Sequence, residues 1–352
     1  MNTYKVIGLM SGTSLDGVDI AFCVFRKKEK KWSFEIKAAE TIDYSKDWIK
    51  KLSTVEKSNA FTLAQTNVEY GHYLGQLVKN FIIKNKIFPD FISSHGHTIF
   101  HQPEKKITLQ IGDGAAIAAV AGLPVVCDFR STDVALGGQG APLVPIGDKY
   151  LFSEYDLCLN LGGFSNISFD KRKERIAFDI CPANIILNKL AEESGTSFDN
   201  KGLLARSGNF NKVLFDELNS LLYYSLYPPK SLRKEWMINS FHPIINKYKI
   251  PVNDKLNTVC EHIVFQIGQA TYFKQSKKML VTGGGAFNDY LIERIKEHAH
   301  HEIFIPSKKI ILFKEALIFA FLGVLRMEEK PNCLKSVTGA IKDNIGGAIY
   351  LH

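Results

Sequence analysis

The chain has 352 residues, of which 44 are lysine or arginine and 36 are aspartate or glutamate, so its formal net charge is +8. A hydrophobic content of 45% and a charged content of 23% are typical of folded globular proteins, and the length suffices for two domains. The longest apolar run, Ala316 to Leu325, is shorter than the roughly 20 residues of a membrane span. Basic residues form separate patches, such as 26–31, without a basic helix or an aromatic RNA-binding motif. This pattern argues against a nucleic-acid-binding protein and leaves a mild preference for anionic small ligands.

The cysteines are scattered along the chain and include no CxxC pair, so we expect free thiols. They are Cys23, Cys127, Cys158, Cys181, Cys260 and Cys333. The first apolar run is short and ends in a turn rich in Gly, Ser and Asp, which is not the pattern of a signal peptide. These features predict a cytoplasmic protein.

In chain order, the first half alternates predicted strands and helices. The expected elements are strands at 6–10, 18–25 and 32–42, a helix at 61–83, a short strand at 91–92, a strand at 107–110, a helix at 114–121 and a strand at 125–129. Residues 131–145 are rich in Gly and Pro, which predicts a loop or a crossover between domains.

The second half restarts the pattern of the first. The expected elements are strands at 157–161 and 167–169 around a Gly/Ser/Asn turn, a strand at 175–178, a helix at 258–273, a strand at 279–282, helices at 288–295 and 315–326, and a final strand at 345–350. Each half therefore opens with a strand, a glycine-rich turn and another strand, which indicates an internal duplication. The alternation of strands and helices predicts an α/β protein with mixed sheets.

The first turn lies within GLMSGTSLDGVD, residues 8–19. Gly12 and Gly17 permit close backbone approach and positive φ, and N–H groups with the hydroxyls of Thr13 and Ser14 can point at phosphate oxygens. Asp16 and Asp19 are candidate ligands for Mg²⁺, directly or through water. The alternative is an ordinary hairpin turn, in which Gly, Ser and Asp are common.

Several stretches together resemble the anhydro-N-acetylmuramic acid kinases, a branch of the actin/hexokinase/Hsp70 superfamily. They are GLMSGTSLDGVD (8–19), SHGHT (94–98), DFRSTDVALGGQGAPLVP (128–145), NLGGFSNIS (160–168), FDICPAN (178–184), PPKS (228–231), VTGGGAFN (281–288) and SVTGA (336–340). They occur in the family's order and span nearly the whole chain. The first and third are long enough to be specific.

The resemblance implies a two-lobed actin-like ATPase with a ribonuclease H-like, duplicated fold, in which mixed sheets are flanked by helices. Domain I would comprise residues 1–128 and 333–352, and domain II residues 129–332. It implies a cytoplasmic, dimeric kinase that uses ATP and Mg²⁺. Such a kinase opens the anhydro bridge of 1,6-anhydro-N-acetylmuramic acid with water at C1 and phosphorylates O6, in a cleft between the lobes.

Asp179 matches the general base of the family's FDTGPGN motif, and a carboxylate at a strand end can take a proton from an attacking water. The alternative is that Asp179 caps the helix that follows Pro182. This motif also departs from the family, because Ile180, Cys181 and Ala183 replace a threonine and two glycines. The segment PPKSLRKE departs from the family's PPKSTGRE at three positions, so Lys230 and Ser231 are only candidate cleft residues.

The resemblance also implies ligand-binding residues. Those expected at the nucleotide are Gly12, Thr13, Ser14, Leu15, Asp16, Gly17, Val18, Asp19, Gly162, Gly163, Asn166, Gly283, Gly284 and Gly285. A side chain at the triple glycine would collide with adenosine.

Three residues are expected at the sugar. Glu315 is one candidate, with a charge at a helix N-terminus as the alternative. Arg130 is expected to pair with the lactyl carboxylate, with a structural salt bridge as the alternative. His97 stands where the family usually has glutamine. The nearby histidines suggest polar sugar contacts rather than a metal site.

Two further functions remain open at this point. One keeps the fold and changes the substrate to another 1,6-anhydro sugar, such as levoglucosan, which lacks the lactyl and acetamido groups. The other is a catalytically weak nucleotide-binding module, which the altered FDICPAN motif supports.

Overall fold

A computed structural model describes residues 2–12, 15–29, 31–172, 174–273 and 275–352. The chain divides into two compact units, the first formed by 1–151 with 313–352 and the second by 152–312. Among the described residues, no helix combines the length and the apolar character needed to cross a membrane.

The first unit contains a mixed β-sheet. Its strands are β1 (Asn2–Ser11), β2 (Gly17–Lys28), β3 (Lys31–Asp43), β4 (Phe91–Gln102), β5 (Ile107–Ile111), β6 (Val125–Cys127) and, from the end of the chain, β12 (Ala348–Tyr350). They lie in the order β12-β6-β4-β1-β2-β3, and β5 pairs with β4. β1, β4 and β6 run parallel, and the hairpin β1–β2 is antiparallel, with Met10 opposite Asp19.

The first five helices follow the strands of this unit. They are α1 (Lys46–Thr54), α2 (Ala60–Asn85), α3 (Gly114–Ala121), α4 (Ser131–Ala135) and α5 (Val144–Leu151). The carbonyl oxygen of the Asn59 side chain accepts a hydrogen bond from the Thr62 N–H and so caps α2. The buried stripe of α2, including Tyr70 and Leu74, packs in one core with Ile7 and Leu9 of β1.

The second unit contains another mixed sheet. Its strands are β7 (Leu157–Leu161), β8 (Phe164–Lys171), β9 (Glu174–Pro182), β10 (Lys278–Thr282) and β11 (Glu302–Phe304), in the order β11-β10-β7-β8-β9. The helices are α6 (Asn184–Glu192), α7 (Leu203–Ser207), α8 (Lys212–Asn219), α9 (Lys234–Trp236), α10 (His242–Lys247), α11 (Val252–Ala270) and α12 (Asp289–His298). The chain continues with α13 (Lys308–Met327) and α14 (Lys335–Thr338).

The two sheets repeat one topology. β4-β1-β2-β3 and β10-β7-β8-β9 each consist of a parallel pair followed by two antiparallel pairs. The predicted α/β class and the internal duplication are therefore confirmed. Asp19 of β2 and Asn166 of β8 occupy corresponding places in their hairpins. Each directly follows the residue of the pair nearest the turn, which is Ser11–Val18 in the first hairpin and Leu161–Ser165 in the second.

Several predicted boundaries are wrong. β4 does not end at Ile92 but continues to Gln102, because its second half pairs with β5. Residues 131–145 contain α4 and the start of α5, so they are not all loop. Asn166 lies within β8 rather than in the turn, and Asp179 lies inside β9 rather than at its end.

The helix α13 begins at Lys308, so Glu315 does not open it, although Phe313 interrupts its helical geometry. A Cβ atom on Gly8 would lie 2.0 Å from the Ala316 carbonyl oxygen, and one on Gly323 would lie 2.6 Å from the Ser93 hydroxyl. Because these glycines let α13 lie directly on the first sheet, residues 313–332 belong to the first compact unit. The predicted domains placed them in the second, so the two divisions have different bounds; the functional domains stay a prediction.

Candidate active site

The β1–β2 hairpin is the first expected phosphate-binding element. Thr13 and Ser14 lie outside the described residues, and Gly12 follows β1 directly. Leu15 adopts the left-handed backbone, with φ 61°. Gly17 has a different role from the one expected, because a Cβ atom there would lie 2.4 Å from the Ile42 carbonyl oxygen. Packing of β2 against β3, and not a ligand, accounts for this glycine.

Two carboxylates lie at the base of this hairpin. Asp16 is exposed and Asp19, beside the buried Val18, is half-buried. The hydroxyl of Thr41 donates a 2.6 Å hydrogen bond to Asp19. Burial raises the pKa of Asp19, the Thr41 bond lowers it and the Asp16 carboxylate raises it further. A divalent cation would relieve this repulsion, so the pair has the donor chemistry that Mg²⁺ needs when phosphate and water supply the other ligands.

A chain of buried hydroxyl groups supports the end of β1. The Ser11 hydroxyl lies 2.9 Å from Nδ1 of His97 and 2.6 Å from the Tyr44 hydroxyl, which lies 2.5 Å from the Tyr70 hydroxyl. Burial lowers the pKa of His97 to about 4, so its imidazole is neutral at pH 7. His97 is thus held beside the hairpin. Of the two tyrosines, only Tyr70 was indicated by the sequence, through the apolar spacing of the predicted helix at 61–83.

Arg130 is tied to its own unit by several hydrogen bonds. Its Nε and Nη2 atoms lie 3.2 Å and 2.9 Å from Nε2 of His95, and Nη1 donates to the Gly140 carbonyl oxygen at 2.6 Å. Nδ1 of His95 lies 2.8 Å from the Gly96 carbonyl oxygen, which fits a neutral imidazole that accepts from Arg130. Burial lowers the pKa of His95 well below its usual value, and the Arg130 charge adds to this.

Arginine has five N–H groups. Three of those on Arg130 are used in these bonds, and the other two have no acceptor among the described residues. The alternative role expected for Arg130 was a structural salt bridge. The structural contacts it makes are instead hydrogen bonds to His95 and to the Gly140 carbonyl oxygen. A carboxylate of the substrate would still find two donors.

Glu315 and its neighbour face different surroundings. Lys314 is buried and its ammonium lies 2.7 Å from the carboxylate of buried Asp148, whereas Glu315 is exposed. Desolvation by the surrounding protein nevertheless raises the pKa of Glu315, and Arg130 lowers it. The exposed carboxylate lies within electrostatic range of Arg130, so these two candidate sugar residues belong to one charged region of the first unit.

The loop after Arg130 is organised by a residue that the sequence analysis missed. Asp133 is fully buried and accepts hydrogen bonds from the Thr338 hydroxyl at 2.8 Å, the Asn344 amide at 2.7 Å and the Gly140 N–H at 2.8 Å. Its position in the motif of residues 128–145 was the only available signal. Asp133 fixes the loop whose Gly140 carbonyl holds Arg130.

The second glycine turn, Gly162–Gly163, joins β7 to β8. Its carbonyl oxygens accept hydrogen bonds from the N–H groups of Ala183, Asn184 and Ile185, at 2.8, 3.1 and 3.1 Å. The turn is thereby fixed against the start of α6. Those three N–H groups are already paired, so a phosphate at this turn would have to use the N–H groups of the turn itself.

The triple glycine follows β10. Gly283 has φ 83°, and a Cβ atom on it or on Gly285 would lie 2.7 Å or less from atoms of Asn160 or Leu161. These two glycines are required by protein packing, which differs from the expected collision with adenosine. Gly284 is different: it is exposed, and the nearest atom to a Cβ there would be the Asn184 amide nitrogen at 3.4 Å. Gly284 is therefore the position at which a ligand can approach this backbone.

Asp179 is held by a segment far away in sequence. Its Oδ2 accepts a 2.8 Å hydrogen bond from the Leu232 N–H, its N–H donates to the Lys230 carbonyl oxygen at 3.2 Å, and its carbonyl oxygen accepts from the Tyr223 hydroxyl at 2.6 Å. Lys230 Nζ in turn donates to the Tyr223 carbonyl oxygen at 3.2 Å and lies 4.6 Å from the centre of the Tyr223 ring.

The hydrogen bond to the Asp179 carboxylate within the described part of the chain goes to Oδ2, which leaves Oδ1 without a partner there. Burial raises the pKa of Asp179, while the Leu232 bond lowers it. The capping alternative is wrong, because α6 begins at Asn184 with Ala183 at its cap position and without a side-chain cap. One oxygen is thus fixed and the other is free to accept a proton.

The altered motif residues beside Asp179 point into the protein core. The register of β8 and β9 shifts between the pairs Asn166–Asp179 and Ser165–Cys181, so Ile180 is the extra residue of a β-bulge. Ile180, Cys181 and Ala183 are at most 2% exposed and belong to the hydrophobic core of the second unit. Burial also raises the pKa of Cys181 to about 12. The side chains that depart from the family pattern therefore do not replace surface groups at Asp179.

Asp179 ends a row of polar residues across the second sheet. Thr282, Asn160, Asn166 and Asp179 are direct cross-strand partners in β10, β7, β8 and β9. Directly opposite residues of neighbouring strands share a face of the sheet. Asn166 and Asn160 are thus brought beside Asp179 by register, although the sequence analysis singled out only Asn166 and placed it in a turn.

Comparison with known proteins identifies relatives over the full length. Residues 4–352 match the family model described as anhydro-N-acetylmuramic acid kinase. The proteins of that name from Hydrogenovibrio crunogenus and Coxiella burnetii are each 34% identical to this chain, over 98% of it and 97% of the relative. The protein of that name from a Sulfurovum species is 33% identical over the whole of both chains. The chain therefore belongs to the anhydro-N-acetylmuramic acid kinase family.

Proposed function

We propose that the protein is an ATP-dependent kinase that opens the anhydro ring of 1,6-anhydro-N-acetylmuramic acid and phosphorylates O6, giving N-acetylmuramate 6-phosphate. Family membership supports the reaction class. The observation that carries the proposal is the carboxylate of Asp179, with Oδ2 held by the Leu232 N–H and Oδ1 unpaired among the described residues. A fixed carboxylate with one free oxygen suits a general base.

In the reaction, Oδ1 of Asp179 accepts a proton from water as the water oxygen bonds to C1 of the sugar. The bond between C1 and O6 breaks, and its electron pair stays on O6. O6 then bonds to the γ-phosphorus of ATP and ADP leaves, while Asp179 later returns its proton to solvent. One water and one phosphoryl group are thus added to the sugar. Proton transfer to a positioned base contributes about 10²–10⁴-fold to such rates.

The nucleotide contacts follow from the glycine positions. Exposed Gly284 is proposed to lie against adenosine, and the N–H groups of the Gly162–Gly163 turn to face phosphate oxygens. Asp16 and Asp19 are proposed to hold Mg²⁺, which when bound supplies positive charge beside the phosphates. Burial is the main cause of the raised pKa of Asp19, and the repulsion from Asp16 that adds to it is what a bound cation would relieve.

The sugar contacts are proposed for His97, Arg130 and Glu315. The two unpaired N–H groups of Arg130 suit a lactyl carboxylate, the exposed carboxylate of Glu315 suits a sugar hydroxyl, and neutral His97 suits either a donor or an acceptor. The reaction product belongs to peptidoglycan recycling. We further propose a cytoplasmic homodimer, as the family resemblance implies.

A kinase for another anhydro sugar, such as levoglucosan, would share the Asp179 chemistry and would not need an anion partner such as Arg130. The altered FDICPAN motif favoured a weakly catalytic nucleotide-binding module. The burial of Ile180, Cys181 and Ala183 removes that support, because these side chains lie in the core rather than beside the carboxylate.

The test is to incubate the purified protein with Mg-ATP and, separately, 1,6-anhydro-N-acetylmuramic acid and levoglucosan, and to analyse products by mass spectrometry. The proposal predicts a muramate product heavier by one water and one HPO₃ unit, with much slower turnover of levoglucosan. A product that gains HPO₃ without water contradicts ring opening. ATP binding without phosphorylation of either sugar supports the binding module and contradicts the kinase.

A further inference from the structure

The first unit contains a cavity of about 160 Å³ to which the roles above assign no ligand. Its lining includes Leu109, Gln110, Asp113, Cys127, Asp128 and Tyr350. His95, the partner of Arg130, also lines the cavity, together with Gly96.

The cavity lies on the functional edge of the first sheet. β1, β4 and β6 are parallel, so the carboxyl ends of β1 and β6 meet at one edge, where ligands bind in α/β sheets. Gly12 of the hairpin follows β1 there, and Asp128, in the cavity wall, follows β6. The cavity is therefore placed on the side of the sheet that carries the hairpin.

The lining favours a ligand group that donates a hydrogen bond. Asp113 caps α3 through Oδ1, and Asp128 accepts from the Ser131 hydroxyl at 2.5 Å, so both contribute carboxylates to the wall. Two carboxylates disfavour an anionic group such as the lactyl carboxylate or a phosphate.

Gln110 adds an acceptor that lacks a donor. Its Nε2 donates to the Thr108 hydroxyl at 2.9 Å, whereas its Oε1 is buried without a hydrogen-bond partner in the described part of the chain. Buried carbonyl oxygens are rarely left unpaired. Gln110 lines the cavity and the terminal amide torsion of glutamine is broad, so rotation of this amide can present Oε1 to a group bound there. The wall also has an apolar part, formed by Leu109, Cys127 and Tyr350.

We propose that this cavity binds the 2-acetamido group of the sugar, with its N–H donating to Oε1 of Gln110 and its methyl group packing on Leu109, Cys127 and Tyr350. This inference rests on the proposed function and adds to it the residue that distinguishes N-acetylated anhydro sugars from levoglucosan. The cavity has room for an acetamido group and a neighbouring hydroxyl. Gln110 is thus assigned as a specificity-determining residue.

The test compares the binding of two ligands to two forms of the protein in a thermodynamic cycle. Dissociation constants are measured by calorimetry, with a saturating non-hydrolysable ATP analogue, for 1,6-anhydro-N-acetylmuramic acid and for its 2-deoxy analogue, which lacks the acetamido group. Both ligands are measured with the unsubstituted protein and with Gln110→Met, which keeps the side-chain length and removes the acceptor. Gln76→Met, on the exposed face of α2, is the matched control.

We expect Gln110→Met to weaken binding of the N-acetylated sugar by about tenfold, the effect of one hydrogen bond, and to leave the 2-deoxy analogue unchanged. Equal losses for both ligands, or no loss for either, would overturn the assignment while the kinase proposal stands. If the unsubstituted protein neither binds nor phosphorylates the N-acetylated sugar, the proposed function itself fails. Affinity for the nucleotide analogue and the melting temperature report on folding of each variant.

Discussion

The N–H of Leu232 donates a 2.8 Å hydrogen bond to Oδ2 of Asp179, although 53 residues separate them in sequence. The contact comes from the backbone, so it does not depend on the leucine side chain that replaces the family's threonine. Tyr223 and Lys230 bind the backbone of Asp179 from the same segment. Residues 223–232 therefore orient the carboxylate on the bulged strand β9.

Tyr223→Phe removes the hydroxyl that donates to the Asp179 carbonyl oxygen at 2.6 Å and keeps the ring under the Lys230 ammonium. We expect kcat to fall by about tenfold, the scale of one lost hydrogen bond, with the KM for ATP unchanged. Steady-state kinetics check this. The control is Tyr227→Phe in the same segment, because Tyr227 is 90% exposed. Equal kinetics for the two variants would show that Tyr223 does not position the base.

The pH dependence of the reaction follows from the burial of Asp179. Burial raises its pKa above the ordinary value of 3.8, so the base form is lost at a higher pH than for an exposed aspartate. We expect kcat/KM to fall on the acid side with a midpoint above 3.8 while the protein stays folded by circular dichroism. An acid limb at or below that value would be inconsistent with Asp179 as the base.

The raised pKa of Asp179 also makes the stability of the folded protein depend on pH. A carboxyl whose folded-state pKa is raised favours the folded state when it is protonated, so its contribution is lost as the pH rises through the folded-state pKa. At neutral pH, where Asp179 is ionised, its burial therefore lowers the free energy of unfolding.

Ile180→Thr restores the family's residue at the bulge but places a hydroxyl in the core, because Ile180 is 2% exposed. We expect the free energy of unfolding to fall by about 1–3 kcal/mol, with no gain in kcat. Chemical denaturation and steady-state kinetics measure the two effects. Val213→Thr, at a position 67% exposed, is the control. A rise in kcat without loss of stability would place residue 180 at the reacting groups instead.

The hairpin, the duplication and the long helix α2 were predictable, because each depends on local apolar spacing and turn residues. The extension of β4 was not, since its Ser, His, Gly and Thr residues resemble a loop and become a strand only by pairing with β5. The bulge at Ile180 likewise depends on the register with β8.

The glycines show a second limit of prediction from sequence. The sequence indicates that Gly17, Gly283 and Gly285 must lack side chains, but it does not tell whether a ligand or the protein lies against them. In each case a protein atom lies too close for a Cβ, whereas at Gly284, alone among these four, a Cβ would make only an ordinary contact, with the Asn184 amide nitrogen at 3.4 Å. The partners of Asp179 were also beyond prediction, because Tyr223 and Leu232 lie 44 and 53 residues away.

The central claim is that Asp179 removes the proton from the water that opens the anhydro ring. The most direct measurement is turnover of 1,6-anhydro-N-acetylmuramic acid by Asp179→Asn, with Asp216→Asn on the exposed surface of α8 as the control. We predict that Asp179→Asn lowers kcat by at least about a hundredfold, with ATP affinity retained and the melting temperature not reduced. Turnover by Asp179→Asn close to that of the control would contradict the account.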